Sequence, residues 1–181
     1  MTRLAIWLAA AIATSPVAAQ QSGYAGQAAR DIKALSAEDV GDLLAGRGMR
    51  MALPGELNHY PGPAHVLELR DQLALEAHQL RRVQRIFERM SVAARPLGAA
   101  IVERERALDR GFAERSIGAK ALTAETAAIA RFYGGLRNVH LAAHLETAAV
   151  LTQRQIAEYD RLRGYAGQGP VAPQHQHRHG G

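Results

Sequence analysis

Cysteine is absent from the 181-residue chain, which excludes a disulfide framework, thiolate catalysis and cysteine metal ligation. Folding must then rest on packing alone. Aromatic residues make up only 5 % and runs of β-branched residues are almost missing, so strands have little to build on. There is no glycine-rich phosphate loop, no HExxH pair and no serine in an elbow context, and the chain therefore reads as a non-enzyme. No dense Lys/Arg run is present either, so nucleic acid is not an expected partner.

Long apolar runs are lacking beyond the first residues, where Arg3 precedes an apolar stretch from Leu4 to Ile12 and the small residues Val17-Ala18-Ala19 follow. That layout predicts a secretory signal peptide over residues 1–19, cleaved near Ala19, and hence a periplasmic protein. Thr14, Ser15 and Pro16 stop the run well short of the roughly 18 residues a membrane anchor needs. Removal of residues 1–19 leaves 21 Lys+Arg against 17 Asp+Glu, a net charge of +4 carried mostly by arginine.

Alanine, leucine, arginine and glutamate dominate what is present, which predicts an all-α fold. Residues 20–63 read as an N-terminal extension with one short helix and a Gly/Pro-rich loop. Ser36-Ala37-Glu38-Asp39 is its helix start, Val40, Leu43 and Leu44 its apolar face, and Gly46 or Gly48 its end. The stretch from Gly46 to Pro63 holds three prolines and four glycines and is expected to lack regular structure. From His65 onward, Leu69, Leu73, Leu80, Val83, Phe87, Met90, Ala94, Leu97 and Ile101 recur at spacings of mostly three and four, an apolar seam of coiled-coil type. Pro96 is expected to kink that helix or split it in two. Leu122-Thr123-Ala124-Glu125 reads as the next helix start. In the helix that follows, Phe132, Leu136, Val139, Ala143 and Val150 fall on one face, with Leu141, Leu145 and Ala148 nearly opposite. A helix apolar on two sides needs two partners, the second being another part of this chain, a second subunit or a client protein. A last helix runs from Thr152 to Arg163, and residues 166–181 read as a disordered His-rich tail.

Leu151-Thr152-Gln153-Arg154-Gln155 is the sharpest motif: the Thr152 hydroxyl can accept from the Gln155 N–H while the Gln155 side chain reaches back to the Thr152 N–H. Leu75-Glu76-Ala77-His78-Gln79 repeats the spacing of leucine and glutamine, with glutamate where threonine stands in the other copy. Two LTxxQ-like elements in a cysteine-free helical chain resemble the Spy/CpxP family of periplasmic chaperones over roughly residues 65–165. Leu75, Gln79, Leu151, Thr152 and Gln155 carry the resemblance. It implies an all-α, cradle-shaped protein of four to five helices with a long kinked hairpin over residues 64–165, often dimeric, which shields unfolding periplasmic proteins without ATP or a required cofactor. Homodimerisation and contact with a membrane sensor protein belong to the same implication. Arg81, Arg82, Arg85 and Arg89 are the expected basic rim for clients, their stems covering apolar surface while their charges attract acidic chains.

The broader superfamily includes periplasmic sensors of heavy metals, so the alternative expectation is transition-metal sensing or binding (Ni, Co, Cu or Zn). His140 and His144 stand four apart on a helix, a spacing that can clip one ion, with further ligands sought from His59, His65, Met49, Met51 or Glu146. His175, His177 and His179 in the tail are a second, looser candidate.

Overall fold

The computed structural model describes residues 23–166, so the expected signal peptide and the tail histidines His175, His177 and His179 lie outside the described residues. All regular structure described is helical. A 3-10 turn at Gln27–Ala29 precedes α1 (Ala37–Ala45), α2 (Leu53–Glu56), α3 (Pro63–Glu68), α4 (Ala77–Ala113), α5 (Ala119–Ala148) and α6 (Gln153–Leu162). The all-α expectation is met, with six helices instead of four to five. None of the described helices is long and apolar enough to cross a membrane.

The scaffold is the hairpin of α4 on α5. Its turn is short because Ser116 and Ile117 both donate their backbone N–H to the Gly111 carbonyl, with Arg115 in the left-handed region at φ 54°. Helix α5 starts at Ala119, one turn before the Leu122-Thr123 start expected from sequence. The Thr123 hydroxyl donates back to the Ala119 carbonyl, so it serves the helix interior instead of capping it.

Pro96 does not split α4, which runs unbroken through it for 37 residues. Pro96 and Val92 both lie on the exposed face, so the Val92 carbonyl that loses its intrahelical donor faces water, where the loss is cheapest. The start of the long helix also differs from the reading of one helix from His65. Helix α3 ends at Glu68, Ala74 turns left-handed at φ 47°, and Glu76 is extended. Leu69 and Leu73 accordingly leave the α4 seam and pack with Val66, Val83, Leu151, Ile156 and Tyr159 in a separate cluster.

A second cluster joins Ile32, Leu35 and Leu43 of the N-terminal segment to Ala94, Ile101 and Val102 of α4 and Leu136 of α5. Helix α1 is built as expected: Ser36 accepts from the Asp39 N–H at 3.0 Å, Asp39 accepts from the Ser36 N–H at 2.9 Å, and Gly46 ends the helix at φ 69°. The Ser36 hydrogen bonds hold the Asp39 carboxyl below its ordinary pKa. The Gly/Pro-rich connection is more regular than expected, since Pro54 and Pro63 occupy first-turn positions of α2 and α3, where the missing N–H costs nothing. Gly55 of α2 lies so close to α5 that a Cβ there would stand 3.5 Å from Leu141 and from His144. On the second apolar face of α5, Leu141 is thus approached by this chain's own α2, while Leu145 is left 59 % exposed.

Close approach of α1 to α4 depends on Gly98, where an added Cβ would lie 1.8 Å from the Leu43 carbonyl oxygen. Gly98→Ala must push α1 off its seat and is expected to cost about 3 kcal/mol in denaturant unfolding. Gly134→Ala is the control, because nothing lies within 4 Å of its Cβ position on α5. It should stabilise by about 0.5–1 kcal/mol through helix propensity; equal effects of the two substitutions would contradict the packing described.

Candidate functional site

The two glutamine motifs, 76 residues apart, meet side chain to side chain. Gln79 donates from Nε2 to Gln155 Oε1 at 2.9 Å, and Gln155 returns the bond from Nε2 to Gln79 Oε1 at 2.9 Å. Each amide oxygen also caps its own helix, Gln79 accepting from the Glu76 N–H at 3.1 Å and Gln155 from the Thr152 N–H at 2.9 Å. Each amide nitrogen has a second acceptor in the segment leading into the other motif. Gln79 donates to the Val150 carbonyl at 2.9 Å and Gln155 to the Leu73 carbonyl at 3.3 Å. Buried polar groups must be paired, and here donors and acceptors of both amides are used. Leu151 is buried and Leu75 packs against the same apolar cluster. Glutamate at position 76 is a poor cap by type, yet the motif starts a helix, because the reaching glutamine supplies the bond.

Beside this pair lies a buried carboxylate that sequence reading did not single out. Glu56 of α2, 7 % exposed, accepts from the Tyr159 hydroxyl at 2.6 Å, from the Tyr165 hydroxyl at 3.1 Å and from the Gly62 N–H at 3.3 Å. Arg163 Nε stands 3.6 Å from one of its oxygens and His144 Nδ1 stands 3.7 Å from the other. Burial and the Glu56 carboxylate push the Tyr159 hydroxyl far above its ordinary pKa, so it stays a donor. A lone glutamate in a Pro/Gly-rich stretch shows no periodicity, and only the tyrosines flanking the end of α6 hint at its partners.

His140 and His144 are both buried and both line a cavity of about 510 Å³ between the 45–53 loop, α4, α5 and the end of α6. Nδ1 of His144 is held by the Tyr60 carbonyl at 2.7 Å. His140 is depressed below its ordinary pKa by burial first and by the neighbouring His144 second, with a hydrogen bond to the Gly46 backbone opposing. Further ligands for a metal at this pair are engaged elsewhere: His59 with Asp160 at 2.7 Å, His65 with Glu68 at 2.9 Å, and Glu146 with Arg89 at 2.5 Å. Met51 packs on the α1 side of the core, as does Met49, which also lines the cavity. Among the described residues no group of three or more His, Cys, Asp or Glu side chains is arranged to hold a metal ion.

Arg81, Arg82, Arg85 and Arg89 are all exposed on α4. Arg82, Arg85 and Arg89 share a shallow groove with Glu146 and Ala149 of α5. No family model matches the chain, and no curated protein and no solved structure is significantly similar to it.

Replacing either glutamine strands the other's amide, buried at Gln79 and half-buried at Gln155. Gln79→Leu and Gln155→Leu are each expected to cost about 2–3 kcal/mol, and the double substitution less than their sum, measured as a coupling energy in a double-mutant cycle. Strict additivity would show that the amides do not act as a pair. The His140 shift predicts a pH dependence with a definite sign. Its folded pKa lies below the ordinary 6.5, so the unfolded chain binds the proton more readily and stability falls as pH drops below about 6.5, by at most about 1.4 kcal/mol per pH unit. His140→Leu should flatten that limb of the stability profile.

Proposed function

We propose that the chain is an exported, ATP-independent chaperone or envelope-stress adaptor of the Spy/CpxP type, acting on unfolding proteins in the periplasm. The observation that supports this reading is the reciprocal glutamine pair. Residues matched to the family's motifs from sequence alone, and separated by 76 positions, turn out to be one another's hydrogen-bond partners. That is what a two-copy motif would be kept for in a single helical fold.

The working surface in this reading is the outer face of α4. Four arginines within nine residues stand exposed there, and Val92, 70 % exposed, continues the face toward Pro96. Only Arg89 among the four has an ion-pair partner among the described residues, Glu146. Such a face attracts acidic chains at long range and offers weak apolar contact through arginine stems, a combination suited to catch and release. It needs no metal or nucleotide. A homodimer and a membrane sensor protein are further partners that the reading admits.

Metal-free full-length protein, in modest excess and without ATP, is expected to suppress light scattering from several unrelated unfolding clients. Failure with every client would remove the chaperone reading. Replacing Arg81, Arg82, Arg85 and Arg89 together by serine should lower the rate of client capture about tenfold at low salt, and added salt should reproduce the loss in the unsubstituted protein.

A further inference from the structure

We propose that the cavity between the 45–53 loop and α4 binds a small aromatic carboxylate, its charge met by Arg50 and its ring held against Phe87 and the methionines beside it. At about 510 Å³ the space lies within the size range of small-ligand sites. Met49, Leu53, Phe87 and Met90 form apolar and polarizable wall, and thioethers beside an aromatic ring favour a flat aromatic guest.

The charge requirement follows from the arginines and the one carboxylate along the wall: Arg47, Arg50 and Arg163 against Glu56. Arg163 Nε stands 3.6 Å from Glu56, and Arg47 is paired with Asp42. Arg50 has neither an ion-pair nor a hydrogen-bond partner among the described residues. One positive charge is left over, on an exposed guanidinium at the rim, and a single carboxylate matches its forked donors. A phosphate would bring further negative charge toward Glu56 with no cation left to meet it.

The backbone sets Arg50 apart from the unpaired arginines of α4. Met49 and Arg50 both adopt left-handed backbone, φ 44° and 66°, a conformation non-glycine residues hold only where the surroundings impose it. The turn places both on the cavity wall. The N–H groups of Gly48, Met49 and Arg50 donate to no acceptor among the described residues, and successive free amides in a turn are suited to seat an anionic oxygen. From the α4 side, half-buried Ser91 lines the same space with its hydroxyl in no hydrogen bond. The histidines are not the anchor: His140 Nε2 is sealed in by its neighbours, and His144 gives Nδ1 to the Tyr60 carbonyl.

This inference stands apart from client binding on α4 and is tested without an aggregation assay. Phenylacetate, its neutral counterpart phenylacetamide, and acetate are titrated into the full chain by calorimetry, with the backbone amides of residues 48–50 followed by NMR. Phenylacetate is expected to bind saturably and to move those amides, and the other two to bind about tenfold more weakly. Arg50→Asn, a residue type that accepts left-handed backbone, should bring phenylacetate down to the level of phenylacetamide. Phe87→Ala should weaken both aromatic probes, while Arg131→Gln, which removes an exposed arginine of α5 outside the cavity, should leave binding unchanged. Equal binding of phenylacetate and phenylacetamide, acetate binding as tightly as phenylacetate, an equal loss from Arg131→Gln, unmoved amides at saturation, or no saturable binding of phenylacetate would each overturn the proposal. The comparison of probes and the amide shifts are read in the unsubstituted protein, so the test holds even if a variant does not fold.

Discussion

Two primary amides hydrogen-bonded face to face set the frame for this fold. Gln79 and Gln155 each cap the start of one helix, reach across to the other, and hold the carbonyl of a chain segment entering the opposite motif. The starts of α4 and α6 are thereby pinned at one point, and the cluster of Val66, Leu73, Val83, Leu151, Ile156 and Tyr159 can assemble around them. An apolar pair could fill the same space. It could not satisfy the N–H groups of Glu76 and Thr152, which every helix start leaves without an intrahelical acceptor.

Burial of Glu56 follows from that frame. Tyr159 is delivered by α6 and Tyr165 by the turn that follows it, His144 by α5 and Gly62 by the turn before α3, and the carboxylate is the common acceptor or neighbour of all four. A buried charge is tolerable only when donors surround it. Gly62 is required for that crowding, since a Cβ there would come within 2.8 Å of the His144 ring. The cavity beside His140 opens off the same region, with its walls drawn from five chain segments.

Much of the fold was legible because local rules govern it. The Ser36 and Thr152 caps, the glycine end of α1 and the seven- and four-residue spacing of Val83, Met90, Ala94 and Ile101 all act locally and appear where sequence placed them. The misreadings arose where tertiary context overrode a local signal. Pro96 sits on the solvent face, so its usual break does not occur. Leu69 and Leu73 match the spacing of the α4 seam but belong to another turn of chain. Of the site, the glutamines were visible as a repeated motif, yet their pairing was not, because nothing in one motif states that it reaches for the other. His140 and His144 were visible as a spaced pair. That one ring would be committed to Tyr60 and the other left with a bare nitrogen depends on loops whose path has no periodic signature.

The N-terminal segment carries a consequence for the order in which the molecule can assemble. Ile32, Leu35 and Leu43 find their buried neighbours on α4 and α5, the last of them Leu136, roughly a hundred residues later in the chain. During synthesis this segment has an apolar face and no seat until the hairpin exists, while the hairpin itself closes through a short turn and local contacts. This early segment is thus among the last to dock, and a binding factor that caught it in that interval would hold the chain short of its native core.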